Sequence, residues 1–296
     1  MTFSGFTDLD LRVNGVRLRG RVGGRASRPA LLLLHGHPQT HMMWHRVAAE
    51  LAEDFAVVAP DLRGYGDSGR PAADEDHAAH SKRTMARDCV ELMSALGHDR
   101  FLVAGHDRGG RVAARLAVDA PGRVDKAMLL DVAPTLDMYE GADREFATAY
   151  WHWFFLIQPA PLPETLVEAD PRAYVEGVLG GRHAGLAPFP PEVLDHYVAG
   201  LTGTGRARGI CEDYRAAATI DLDHDRADRT AGRVTSVPLR VLWARHGVIE
   251  RLFDPIPLWK QVAADVSGRA LDCGHYLAEE RPDEVVREMR SFFGSG

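Results

Sequence analysis

Phe101-Leu-Val-Ala-Gly105-His106-Asp107-Arg108-Gly109-Gly110-Arg111 decides how this chain is read. An apolar run ends in Gly-x-Asp-x-Gly, and a helical pattern begins at once. A strand that turns so tightly into a helix needs small residues on both sides of the central one, here Gly105 and Gly109. This is the strand–turn–helix context of a nucleophile elbow. Its central side chain is pushed out above the sheet, beside a helix N-terminus that favours negative charge. Serine is the usual occupant; here it is Asp107. A carboxylate in that place can attack an alkyl carbon and form an ester, which water then cleaves. An ordinary Asp cap at a βα turn is the structural alternative.

Around this stretch, apolar runs and helical patterns alternate. Ala30–Leu34, Phe55–Ala59 and Lys126–Leu130 read as strands buried on both faces of a parallel sheet. Helical patterns cover about 43–53, 82–96 (ending at Gly97) and 108–120, and Asn14-Gly15 signals a hairpin within 9–22. The alternation breaks at about 135. It resumes with a strand at 237–243, a helix near 257–264, a strand near 270–271 and a last helix at 282–293. The expectation is an α/β fold with helices on both sheet faces. Its core spans 1–134 and 235–296, and residues 135–234 form a helical insertion. The charge-dense run Asp221–Arg229 is expected to be a solvated loop.

Composition bounds the function. With 296 residues, 45% hydrophobic and 26% charged, the chain fits a globular protein and argues against disorder, collagen-like repeats or a coiled coil. The 35 basic and 42 acidic residues leave a net charge of −7, poor for general nucleic-acid binding. Three cysteines, Cys89, Cys211 and Cys273, fit neither a disulfide framework nor a zinc spacing, so a cytoplasmic location is the simplest expectation. The first 15 residues carry no signal-peptide pattern. The apolar run at 29–34 is far short of the roughly 20 residues that span a bilayer, so no membrane association is expected.

A second fingerprint, Leu34-His35-Gly36-His37-Pro38, follows a buried strand. Backbone amides after the first sheet strand and after the nucleophile stabilise developing negative charge in such sites, and here they belong to His37 and Arg108.

The chain resembles the α/β-hydrolases of the haloalkane dehalogenase and epoxide hydrolase branch, and within it the fluoroacetate (haloacetate) dehalogenases. The resemblance rests on His35-Gly-His-Pro-Gln-Thr-His-Met-Met-Trp-His45, Asp61-Leu-Arg-Gly-Tyr-Gly66, Gly105-His-Asp-Arg-Gly109, Trp151-His-Trp153, Gln158-Pro-Ala-Pro-Leu-Pro-Glu164, Cys211-Glu-Asp-Tyr-Arg215 and Gly274-His275. It implies an α/β-hydrolase fold: a mostly parallel eight-stranded sheet with the helical insertion as a cap. It also implies no metal or organic cofactor, a small haloacid as partner, and a homodimer.

Such a hydrolase needs a late histidine to activate water. His275 stands before the last helix, after what reads as a short strand at Cys273-Gly274. A capping or surface histidine is the alternative. Many relatives place the orienting acid after the strand equivalent to 239–243, where this chain has Gly247 in the expected slot and Glu250 three positions too late. Asp131, directly after Leu129-Leu130, is therefore the expected acid, holding the histidine tautomer.

Arg108 and Arg111 lie three apart, on one helix face. Two guanidiniums beside a buried carboxylate are costly unless they meet an anion. The resemblance implies that they clamp a substrate carboxylate; pairing with Asp107 or surface acids is the alternative. It also implies that His152, Trp153 and Tyr214 hold the departing halide with three ring donors. Epoxide hydrolases instead use two cap tyrosines, a reading that Tyr150 and Tyr214 keep open. A non-catalytic receptor on the same fold would be expected to lose part of the triad. Two departures stand out: His37 replaces a phenylalanine of the resembling enzymes, and 180–185 lacks their cap tryptophan. A larger pocket, tolerant of chloroacetate or bulkier 2-haloacids, is the expectation.

Overall fold

Asn14 and Gly15 both take positive φ, 44° and 74°, and join β1 (Thr7–Val13) to β2 (Val16–Gly23) in antiparallel register, Val13 opposite Val16. Primed turns of this kind match the twist of the strands they connect. The structure, a computed structural model, describes residues 3–294. Residues 1, 2, 295 and 296, the ends of the two expected core segments and of the N-terminal stretch, lie outside the described residues.

Among the described residues the sheet has eight strands in the order β1-β2-β4-β3-β5-β6-β7-β8. β3 (Ala30–Leu34), β4 (Ala56–Pro60), β5 (Phe101–His106), β6 (Val124–Leu130), β7 (Leu239–Ala244) and β8 (Val266–Leu271) are parallel; β2 pairs antiparallel with β4. All residues of β3, β4 and β5 are buried, as their unbroken apolar runs require. The chain passes from β3 outward to β4 and returns to place β5 on the other side of β3. The carboxyl ends of β3 and β5 therefore flank a point where strand order reverses, the usual place for a site in an open α/β sheet.

The helices are α1 (Ala48–Leu51), α2 (Lys82–Ala95), α3 (Arg108–Asp119), then eight between β6 and β7, and four later. Ser81 caps α2 by accepting from Thr84 N, and Gly97 ends it at a φ of 84°. The eight are α4 (Thr135–Glu140), α5 (Arg144–Ala149), α6 (Trp151–Leu156), α7 (Leu162–Ala169), α8 (Pro171–Gly180), α9 (Pro191–Leu201), α10 (Arg208–Ala218) and α11 (Ile220–Thr230). No strand interrupts them, as the sequence suggests. The later ones are α12 (Val248–Leu252), α13 (Pro255–Trp259), α14 (Leu277–Glu280) and α15 (Pro282–Phe293). None of the described helices is long and apolar enough to cross a membrane.

Four local expectations are corrected. The run Asp221–Arg229 is not a loop but the body of α11. Its acids, spaced 4 and 3 apart, share one helix face and grip cations of the core: Asp221 lies 3.6 Å from Lys82 Nζ and accepts from the Lys82 backbone amide at 2.9 Å, and Asp225 and Asp228 take Arg115 at 2.6 and 2.5 Å. The continuous helix expected over 43–53 is a 3₁₀ turn, His41–Trp44, followed by the short α1. His45 turns back onto Met42 O and Arg46 reaches away to Glu279 O, 2.7 Å. The helix expected near 257–264 is α13, which starts and ends earlier because Pro255 opens it at N1. Cys273-Gly274 is not a strand: β8 ends at Leu271 and His275 stands on the loop that follows.

Candidate active site

Asp107 occupies the single residue between β5 and α3, with φ 45° and ψ −110°. A non-glycine residue in such a conformation is strained by about 1–3 kcal/mol and persists where its surroundings enforce it. Here the packing enforces it. A Cβ at Gly105 would lie 2.2 Å from Gly109 O, and one at Gly109 would lie 2.4 Å from Leu34 O. Nothing larger than glycine lets α3 begin so close to β3 and β5. Gly109 N donates to His35 O at 2.9 Å, locking the elbow to the β3 end.

The loop after β3 supplies the first amide. His37 N donates to Asp107 Oδ2 at 3.1 Å. Arg108 N opens α3 beside the same carboxylate. Burial works against the charge of Asp107, but His275, Arg108 and Arg111 outweigh it and hold the carboxyl well below the usual carboxylate range. Asp107 is therefore an anion at neutral pH.

His275 and Asp131 meet as the sequence suggests. His275 Nδ1 donates to Asp131 Oδ2 at 2.5 Å, and Ala244 N donates to the other oxygen at 2.8 Å. Asp131 leaves β6 with φ 48°. A Cβ at Gly247 would come within 3.4 Å of Asp131 Oδ2. The acid thus enters from β6 the same space that a side chain after β7 would fill. Glu250 faces outward and takes the Trp243 indole N–H. His106 Nε2 donates to His275 O at 2.8 Å, holding the histidine loop against β5.

His152 and Trp153 come from α6 and Tyr214 from α10. The His37 ring stacks on His152, with centroids 5.7 Å apart, and meets Tyr214 edge-on at 5.1 Å. Trp153 and Tyr214 lie 6.2 Å apart. Trp153 Nε1, Tyr214 Oη and Arg108 Nη1 are buried without an acceptor among the described residues. Buried donors are normally paired, so three unpaired ones in one aromatic cluster imply an absent acceptor. Burial, then the charge of Asp107, raises Tyr214 well above the ordinary phenol value, so it stays a donor. Burial takes His152 well below its ordinary value and His37 down to about 3. Tyr174 Oη hydrogen-bonds His37 Nε2 at 2.8 Å. Tyr150 stacks on Phe146 and contacts His152, whose ring also contacts Tyr214.

The two arginines differ. Arg108 does not stand unpaired, nor does it meet Asp107 or a surface acid. Its Nε and Nη2 take Asp213 at 2.8 and 2.9 Å, and its guanidinium lies 4.1 Å from the Tyr214 ring centre. Arg111 has no carboxylate partner among the described residues. Its Nη1 donates to Ala133 O and Thr135 Oγ1, 3.1 and 2.7 Å, its Nη2 to Met138 Sδ, and the group lies 4.7 Å from the Trp153 ring centre.

Asp213, Lys82 and Tyr65 are the residues that sequence reasoning missed. Lys82 Nζ and Tyr65 Oη both engage Asp213. Asp213 and Tyr65 lie inside motifs already singled out, at 211–215 and 61–66; Lys82 gave no signal beyond opening a helix.

Residues 29–282 match the family model for the alpha/beta hydrolase fold. A fluoroacetate dehalogenase from Burkholderia sp. is 44% identical over 98% of this chain and 94% of its own length. A soluble epoxide hydrolase from Corynebacterium sp. (strain C12) is 35% identical over 95% of each chain. The crystal structure of ALR0039 from Nostoc sp. PCC 7120 superposes with a TM-score of 0.95 at 48% identity, covering 99% of this chain and 100% of that one. A covering match of this extent, on a sheet and elbow of this geometry, leaves one conclusion: the chain belongs to the α/β-hydrolase family.

Proposed function

We propose that this enzyme hydrolyses the carbon–halogen bond of small 2-haloacids, fluoroacetate and chloroacetate among them, to the 2-hydroxyacid and halide. The observation that carries the reading is the set of buried donors, Trp153 Nε1, Tyr214 Oη and Arg108 Nη1, left without acceptors in the cluster that adjoins the Asp107 carboxylate. A haloacid brings acceptors of the right charge, its leaving halide for the two ring donors and its carboxylate for Arg108 Nη1.

In this reading Asp107 displaces the halide in line and becomes an ester. His152, Trp153 and Tyr214 stabilise the leaving halide. Arg111, the guanidinium with no acid partner, takes the substrate carboxylate together with the remaining edge of Arg108. His275, oriented by Asp131, removes a proton from water, which attacks the ester carbonyl. The amides of His37 and Arg108 stabilise the resulting oxyanion. The acid, with the inverted 2-hydroxyl, departs, and Asp107 is restored. Residues 135–234 act as a cap over the core formed by 1–134 and 235–296. The chain works as a homodimer without a metal or organic cofactor. A haloacid is a better fit than an epoxide, because a neutral epoxide would bring no carboxylate to the acid-free Arg111 and the unpaired Arg108 Nη1.

The test is halide release by ion chromatography from fluoroacetate and chloroacetate, with Asp107→Asn as control. Release by the parent and not by the variant is expected. Diol from an epoxide panel with no halide from either acid would overturn the reading.

A further inference from the structure

A cavity of about 320 Å³ opens beside the catalytic pair, lined by Asp131 and His275 together with Tyr150, Arg182, His246 and Arg251. Three of the cationic or titratable side chains on its wall differ in how they are satisfied. Arg251 pairs with Glu145 at 2.6 Å and His246 with Asp272 at 2.9 Å. Arg182 has no carboxylate within ion-pair distance among the described residues. Its partners are neutral: the Ala149 carbonyl at 3.3 Å and the face of Tyr150 at 4.6 Å. The acids whose charges reach it are Asp107 and Asp131, both committed to chemistry. A guanidinium so placed presents a planar fork to whatever anion enters the cavity.

From this cavity and its one acid-free guanidinium we infer that the site accepts 2-halodicarboxylates of four or five carbons, with Arg182 binding the distal carboxylate. The inference rests on the function proposed above and names a further substrate class for the same centre. The halogen-bearing carbon stays at Asp107 and the proximal carboxylate on Arg111. The second carboxylate extends past His275 into the polar cavity. The reaction is unchanged: Asp107 displaces halide, water cleaves the ester, and the product is the 2-hydroxydicarboxylate plus halide and a proton. A monocarboxylate leaves Arg182 with its neutral partners only.

The experiment compares kcat/KM for 2-chlorosuccinate with 2-chlorobutanoate, and for 2-chloroglutarate with 2-chloropentanoate, in the parent, Arg182→Gln and Arg182→Lys. Each pair differs by one terminal carboxylate. At least one dicarboxylate should exceed its partner in the parent. Arg182→Gln should lower that ratio by about 10–100-fold, the worth of a charge-assisted hydrogen bond, and Arg182→Lys should restore part of it. Binding of malate against 2-hydroxybutanoate, followed by calorimetry, gives a second readout. If malate binds through Arg182 but no acid releases halide, the functional reading fails while the distal carboxylate site stands. If chloroacetate releases halide but the ratio is the same in Arg182→Gln, Arg182 only braces Tyr150 and the inference is overturned. It is equally overturned if the variant lowers both members of a pair alike.

Discussion

Asp213→Asn should destabilise this protein far more than a change of one atom suggests. The carboxylate takes Arg108 Nε and Nη2 at 2.8 and 2.9 Å, Tyr65 Oη at 2.7 Å, and Lys82 Nζ. Arg108 and Asp213 side chains are fully buried, and that of Lys82 is 4% exposed. The variant keeps the shape and removes the charge, leaving two buried cations around a neutral amide. Removing one partner of a buried ion pair costs about 3–5 kcal/mol. Against a total stability of about 5–15 kcal/mol this is a large share. Adding Lys82→Met should recover part of the loss, with a coupling of about 1–3 kcal/mol, because the second change removes a buried ammonium left with Asp221 alone, at 3.6 Å. Urea unfolding followed by circular dichroism, on the parent, both single variants and the double variant, measures each term. An Asp213→Asn variant within about 1 kcal/mol of the parent would refute the reasoning. Strict additivity in the double variant would refute the claim that Lys82 and Asp213 act as one unit.

Other outcomes follow from the same geometry. His275→Gln should release roughly one halide per protein and then stop, carrying the Asp107 ester visible by mass spectrometry; sustained turnover would exclude His275 as the base. Asp131→Asn should lower kcat by about 10³–10⁴, read from steady-state halide release, because the histidine loses its tautomer control. Tyr214→Phe and Trp153→Phe each remove one donor and should slow fluoride release by about 10–100-fold, with a smaller effect on bromide from bromoacetate, the better leaving group. Stability should fall in acid. His37 and His106 are driven by burial to about 3 and about 4 in the folded state, from an ordinary 6.5. The unfolded chain therefore binds more protons below pH 6.5, and stability present above that pH drains away as pH falls toward those values. Each ring should cost about 2 kcal/mol between pH 7 and 5. His37→Phe should remove one ring's share of that slope, about 2 kcal/mol between pH 7 and 5 read from urea midpoints, and an unchanged slope would count against the buried, neutral assignment.

Much of this was legible because the decisive features are local. Asp107 between Gly105 and Gly109 is a steric statement about one turn, and the buried runs at 30–34 and 101–105 carry no polar residue that would make their strand assignment ambiguous. Asp131 was found because Gly247 leaves its slot empty in the sequence and near the carboxylate in space. What was not legible depends on distant partners. The mixed charges of α11 read as a loop because nothing nearby in sequence says that Lys82 and Arg115 wait for them. Arg108 looked free for the same reason: Asp213 lies 105 residues away and reaches it only when α10 packs over the elbow. The short α1 shows the converse, a helical pattern overruled by side chains with better partners elsewhere.

The connection from Asp131 to Thr135 has a consequence for how such enzymes exchange parts. Within five residues it carries the acid on His275, the Val132 carbonyl held by Trp259 Nε1 at 2.8 Å, and the Ala133 and Thr135 oxygens that orient Arg111. Met138, one turn into α4, completes that orientation. A chimera that grafts the helical segment of one relative onto the sheet of another therefore cannot be cut where β6 ends. A seam at residue 131 or 135 would swap the supports of Arg111 along with the helical segment, whereas a seam after Met138 keeps acid, arginine and anchors from one parent. Helices beyond that point can be traded for new substrate shapes only where the incoming α10 keeps Asp213 for Arg108 and Lys82, and the first turn of α4 belongs functionally to the sheet.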